Sequence, residues 1–233
     1  MVTAAVLVSA VGSLLTTELT AVGVDLVCRQ IVELLPVHGV AVTVAVGPGS
    51  RVLVGASDAT ARHLELAQLT AGVGPCTEAT RTGQVVVVED LLADLDRWPG
   101  MGEQLPAAGI GSVVANALLV GPTTIGSMDV YRRDRHLWTA GELADVAEAA
   151  RVLGLGLAAV QVLEPGGDPS AAGGPMDTDR AVLEQATGMT MAALELSAGS
   201  ALSRLRATAF LQGRLVTDVA ADVVAGVAPA SLG

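Results

Sequence analysis

Two kinds of side chain in this sequence invite a chemical reading. Arg204 and Arg206 bracket Leu205 in SALSRLRATAF, and Arg214 follows in QGRLVTD. A guanidinium is a planar, permanently charged fork that donates paired hydrogen bonds to phosphates and base edges. The same residues also read as a solvated helix face, with the Arg206 stem covering the edge of a core. Arg214 has an acid four residues on, Asp218, a pairing worth only ~0.3–0.5 kcal/mol. The second kind is sulfur. Cys76 follows Gly74-Pro75 at a helix start, where a thiol pKa can fall. Free cysteine is more often a small buried core residue, and that reading is adopted for Cys76. Cys28 sits among apolar residues and reads as core. His38, His63 and His136 lack ligand spacing for a metal. Gly72 and Gly74 are not followed by GK[ST], so they form no phosphate loop. Asp94, Asp96, Arg97 and Trp98 either line a ligand pocket or form an exposed connection anchored by the indole.

Composition narrows the choice. All 13 basic side chains are Arg, and the net charge of -11 disfavours long-range attraction of a polyanion. Any nucleic-acid contact must therefore come from a local Arg cluster. Aromatic residues make up 2% of the chain, too few for a base-stacking platform. The two cysteines have no metal-type spacing, which points to a reduced, cytoplasmic protein. The stretch VTAAVLVSA is apolar like a signal peptide, but it lacks a positive leading region and runs into polar TTEL. Without an uninterrupted apolar run of spanning length, no membrane association is expected.

These residues need elements to position them. Leu15, Leu19, Val22, Leu26 and Ile31 recur at helical spacing over 11–35, and Pro36 stops the helix. In GVAVTVAVG, Val40, Val42, Val44 and Val46 alternate with Ala41, Thr43 and Ala45, as in a strand. RVLVGAS beyond GPGS is its antiparallel partner. Residues 58–70 read as a helix broken by GVGPC, TEATRT as a helical turn and QVVVVED as a buried strand. Residues 91–108 read as irregular or helical. IGSVVANALLV and TTIGSMDVYR form a hairpin about Gly121-Pro122. Thr139 and Glu142 make a capping box for a long apolar helix reaching about Leu163. The order predicts an α+β domain, a mostly antiparallel sheet with flanking helices. Its first and last helices are expected on one face. Residues 164–176, rich in Gly and Pro, read as a flexible linker that lets the two units change relative position. Three short helices follow at 178–193, 197–212 and 215–226. Leu202, Leu205 and Ala209 form the inner stripe of the second; Leu215, Val219 and Val223 form that of the third.

The series GVGPCTEATRTGQVVVVEDL, RWP, GIGSVVANALLV and TIGSMDVYR resembles a GAF domain over residues 12–163. RAVLEQATGMTMAALELSAGSALSRLRATAFLQGRLVTDVAADVV resembles an ANTAR domain, placed at 177–226. Ala186 and Gly188, Leu202–Ala207 and Asp218–Ala220 carry that second match. The GAF resemblance implies a signal-receiving, dimerising antiparallel sheet domain whose ligand and any cofactor it leaves open. The ANTAR resemblance implies a three-helix RNA-binding antiterminator that stabilises paired stem-loops in nascent transcripts. Two ANTAR domains, one from each protomer of a homodimer, would face two hexanucleotide loops. Arg204, Arg206 and Arg214 would then contact RNA, with Gln185 and Thr187 adding neutral hydrogen bonds. RNA loops splay bases and phosphates within reach of a small helical unit. Such a protein is a regulator, not an enzyme. Two alternatives stand beside it: a protein-interaction module, favoured by the uncharged AGVAPASLG terminus, and a cysteine-dependent GAF reductase of free methionine sulfoxide.

Overall fold

A computed structural model describes residues 21–47, 50–102, 105, 109–163 and 175–227. The expected helix onset at residue 11 and linker residues 164–174 lie outside the described residues. Helix α1 is described over Ala21–Leu34. Strands β1, Gly39–Gly47, and β2, Ser50–Ala56, follow. Helices α2, Ala59–Ala71, and α3, Pro75–Thr82, lead to β3, Val86–Val88. A 3-10 turn, Leu95–Arg97, precedes the hairpin of β4, Ser112–Val120, and β5, Thr123–Arg132. Helix α4 runs over Ala140–Leu163. Helices α5, Pro175–Leu194, α6, Ala198–Gln212, and α7, Val216–Val224, complete the chain.

The strands form one five-stranded sheet in the order β2-β1-β5-β4-β3. Every pairing is antiparallel. Strand alternation divides the core in two. Val40, Val42, Met128 and Val130 face Val27, Ile31, Val146 and Leu153 of α1 and α4. Ala41, Val113, Ala115 and Tyr131 face Leu64 and Ala67 of α2, Ala79 of α3, and Trp98. The first and last helices of the sheet domain thus share one face, as expected. With so few aromatic rings, Val, Leu and Ala fill both layers.

Local signals account for the boundaries. Asp58 caps α2 by accepting from Ala61 N at 2.8 Å. Gly72 ends the helix in the left-handed region, φ 72°, which Gly adopts without steric cost. The capping box of α4 is formed in both directions. Glu142 N donates to Thr139 Oγ1 at 3.2 Å, and Thr139 N donates to Glu142 Oε2 at 2.8 Å. These bonds also hold the Glu142 carboxyl below its usual range.

The three C-terminal helices bury a small core of Ala186, Leu205, Ala209, Val216, Val219, Ala220 and Val223. The inner stripe of α7 begins at Val216, not Leu215. Leu215 occupies the N-cap position with extended backbone and offers no side-chain acceptor. Leu202 is likewise only half-buried. A core this small is marginal, and the sheet domain extends it. Leu69 of α2 packs against it, and Thr70 Oγ1 accepts from Val216 N at 3.0 Å. The first orphan N–H of α7 is therefore capped from the other domain.

Thr139→Ala should lower stability by about 1 kcal/mol, the usual cost of a lost N-cap. Urea unfolding at neutral pH measures it; an unchanged midpoint would show that the capping box contributes nothing.

Candidate functional site

A buried polar cluster lies between the sheet and helices α2 and α3. Strand β5 alternates Ser127, Asp129 and Tyr131 on one face with Met128 and Val130 on the other. Helix α2 brings Glu65 and Gln68, one turn apart, onto the same cluster. Gln68, fully buried, is its centre. Its Nε2 donates to Glu65 Oε1 at 2.9 Å and to Asp129 Oδ2 at 3.1 Å. Its Oε1 accepts from Cys76 N at 2.7 Å, satisfying an orphan donor at the start of α3. Gly74 makes that approach feasible: a Cβ there would lie 2.4 Å from Gln68 Oε1, and its φ is 149°.

Cys76 lies in this cluster. Ser127 Oγ is 2.8 Å from its Sγ, and Thr43 Oγ1 is 3.2 Å away. Burial, followed by the charges of Glu65 and Asp129, pushes the thiol well above its ordinary range. It is a protonated core thiol, held so chiefly by burial. Cys28 is pushed up by burial as well. It lies on the opposite face of the sheet, among α1 and α4.

Burial also raises Glu65 and Asp129. Beyond burial, the neighbouring Asp129 charge pushes Glu65 up further, whereas hydrogen bonds from Gln68 oppose the rise at Asp129. Two buried carboxyls this close favour a shared proton over a second charge. Glu65, Cys76 and Asp129 place one ligand atom each within 4.8 Å of one another, so they are the metal-capable group among the described residues. Glu65 Oε2 is buried with no hydrogen-bond partner there. Gln68 Nε2 engages one oxygen of each carboxyl, and Ser127 Oγ donates to Asp129 Oδ1.

A second site lies between the domains. Strand β2 and helix α2 face α5 and α6 across a cavity of about 650 Å³. Arg62 bonds Asp179 at its edge. Phe210 of α6 stands against Gly100. The residues expected to bind RNA divide about this interface. Thr187 lines the cavity, and its Oγ1 donates to Leu183 O at 2.7 Å within its own helix. Arg206 also lines it, near Gly72, with its Nε buried and without an acceptor among the described residues. Gln185 and Arg204 are exposed. On an α-helix, Gln185 and Thr187 flank the inward Ala186, and Arg204 and Arg206 flank the inward Leu205, each pair splayed by about 160°. Gln185 and Arg204 therefore face away from the cavity. Arg214 pairs with Asp222, Nη1 to Oδ2 at 2.6 Å, rather than with Asp218. The five residues do not form one cluster.

Trp98 is buried, donating from Nε1 to Glu78 Oε2 at 3.1 Å, and the Arg97 guanidinium covers its ring at 4.4 Å. Both readings of that segment have a counterpart: the indole anchors it, and Asp94 lines a cavity of about 520 Å³ with Glu89, Asp90, Arg135 and His136. The polar cluster escaped the sequence reading. Its signal was the polar alternation of Ser127 and Asp129 in a strand read only as one arm of a hairpin.

Sheet, flanking helices and an internal polar cluster define a small sensory-module fold, with a three-helix unit docked on it. The chain belongs to the GAF domain family, which matches residues 23–157, and it carries an ANTAR domain matching residues 177–224. The fold is similar to that of the GAF domain from Acinetobacter phosphoenolpyruvate-protein phosphotransferase, at 10% identity and TM-score 0.52, covering 68% of this chain and 94% of that one. It is similar to the phycocyanobilin-bound GAF domain from a cyanobacterial phytochrome, at 13% identity and TM-score 0.52, covering 70% and 98%. The GAF domain of a Coxiella burnetii phosphoenolpyruvate-protein phosphotransferase gives 13%, TM-score 0.50, and coverage of 69% and 97%. No curated protein matches the chain. Among the described residues, no helix is long and apolar enough to cross a membrane.

Glu65→Gln should flatten the pH dependence of stability. In the folded protein the raised carboxyl keeps its proton above the ordinary value near 4.3, while the unfolded chain releases it. Wild-type stability therefore falls as pH rises from that value through the folded one. Urea unfolding from pH 5 to 8 compares the slopes; identical slopes would mean that Glu65 is not held protonated.

Proposed function

We propose that this protein is a signal-responsive transcription antiterminator in which the GAF domain receives the signal and dimerises, and the ANTAR helices bind paired RNA stem-loops. The observation that carries the reading is the ANTAR match over α5–α7, with Arg204 and Gln185 exposed on the side turned away from the GAF domain. Arg214, paired with Asp222, stays fully charged and can turn toward a phosphate. Its pairing is part-exposed to solvent and therefore modest. The role is regulatory: Cys28 and Cys76 lie on opposite faces of the sheet, which separates the two thiols that a sulfoxide reductase needs together. Nascent RNA sets the site of action in the cytoplasm.

Few cations serve the RNA surface, because residues 177–233 hold four Arg against six acidic groups. Recognition then rests on loop shape and polar contacts. The salt dependence is shallow, with log K falling by roughly 0.7 per phosphate contact on single-stranded loops. Arg204→Ala should weaken binding to a paired-hexaloop RNA by ~1–3 kcal/mol without unfolding the protein. A titration of wild type and variant, with a scrambled-loop RNA as control, reads this. Equal affinity of wild type for both RNAs would favour a protein-interaction role for the tail.

Dimerisation presents two ANTAR domains together and raises avidity without new contacts. The surface proposed is the α1–α4 face, where Leu26 and Leu155 are 50% and 48% exposed. Sedimentation of the full chain at micromolar concentration should give a dimer that Leu155→Glu dissociates; a wild-type monomer would remove the proposal.

A further inference from the structure

The cavity between the GAF and ANTAR domains has the chemistry of a binding site. Its volume, about 650 Å³, falls in the range of small-molecule pockets. Leu66 and Leu69 of α2 and Leu183 and Leu202 of the tail supply apolar wall from both domains. Its charged lining is not balanced evenly. Asp179 is engaged by Arg62, and Glu184 by Arg180. Arg51 and Arg206 have no carboxylate at salt-bridge distance among the described residues. Arg51 donates to the Thr77 hydroxyl and stands within electrostatic range of the buried Glu65–Asp129 pair. Arg206 Nε is buried without an acceptor. Burial, then the Arg51 charge, lowers Arg206 from its ordinary value; the two guanidiniums are close enough to repel each other.

A guanidinium whose buried Nε has no acceptor, beside a second guanidinium, is costly in the protein alone. An oxyanion between them would accept from Arg206, screen the repulsion and receive paired hydrogen bonds from a planar fork. An apolar body attached to it would cover the leucines. We infer that the interdomain cavity binds a small amphipathic oxyanion, its carboxylate or phosphate head between Arg51 and Arg206 and its apolar body against Leu66, Leu69, Leu183 and Leu202. Such a ligand touches both domains. It therefore favours this arrangement of the ANTAR helices, with Thr187 and Arg206 turned inward, over arrangements in which the domains part. Binding does not depend on the RNA reading and is measured without RNA.

The test is calorimetric titration of the full chain with decanoate and with decyl phosphate, below their aggregation concentrations. Decanol and inorganic phosphate serve as body-only and head-only controls. At least one amphipathic anion should bind at least tenfold more tightly than either control, and the tighter head identifies the oxyanion. Arg206→Met, which keeps the apolar stem, and separately Arg51→Met should each weaken binding at least tenfold. Thermal melts of both variants confirm folding, so the result rests on whichever variant folds as wild type. Decanol binding as well as the anions, no binding of either anion at millimolar concentration, or undiminished binding by a folded variant would overturn the inference.

Discussion

One amide side chain holds much of this structure in place. Gln68 uses both ends of its amide inside the core, on two carboxyls and on the first turn of α3. Interior polar groups are tolerable only when satisfied, so the positions of α2, α3 and β5 are coupled through this residue. The opposite side of α2 carries Leu66, Leu69 and Thr70, against which the ANTAR helices rest. The contact that fixes α2 within the GAF domain thus also sets the platform for the tail.

Much of the fold was legible because each element carries its own local signal. The valine alternation of β1, the Thr139–Glu142 box and the Gly121-Pro122 hairpin do not depend on distant residues. The sites were less legible because they are made by distant residues. Asp129, Glu65 and Gln68 are unremarkable one at a time, and only the pairing of β5 beside β1 under α2 makes them neighbours. Helical periodicity marked Arg204 and Arg206 as flanking a core leucine. It carries no information about which flank meets the other domain. The Arg214 partner was misjudged for a related reason: four-residue spacing favours Asp218, but Arg214 precedes the start of α7, and Asp222 on that helix meets its guanidinium.

The division of the tail surface follows from how α5 and α6 dock. Each helix has one row inward, one toward the GAF domain and one toward solvent. Thr187 and Arg206 occupy the middle row, Gln185 and Arg204 the outer. A change in docking angle redistributes polar groups between the interface and water without altering the helices themselves. This is the kind of element that a small difference in contact energy can bias between two states.

The hydrogen bond from Val216 N to Thr70 Oγ1 has a bearing on how the chain is made. Synthesis proceeds from the N-terminus, and domains fold largely in that order at roughly 5–20 residues per second. The hydroxyl that caps α7 is therefore in its folded setting before α7 leaves the ribosome. The tail emerges onto a prepared template, its own short core completed by a surface already standing.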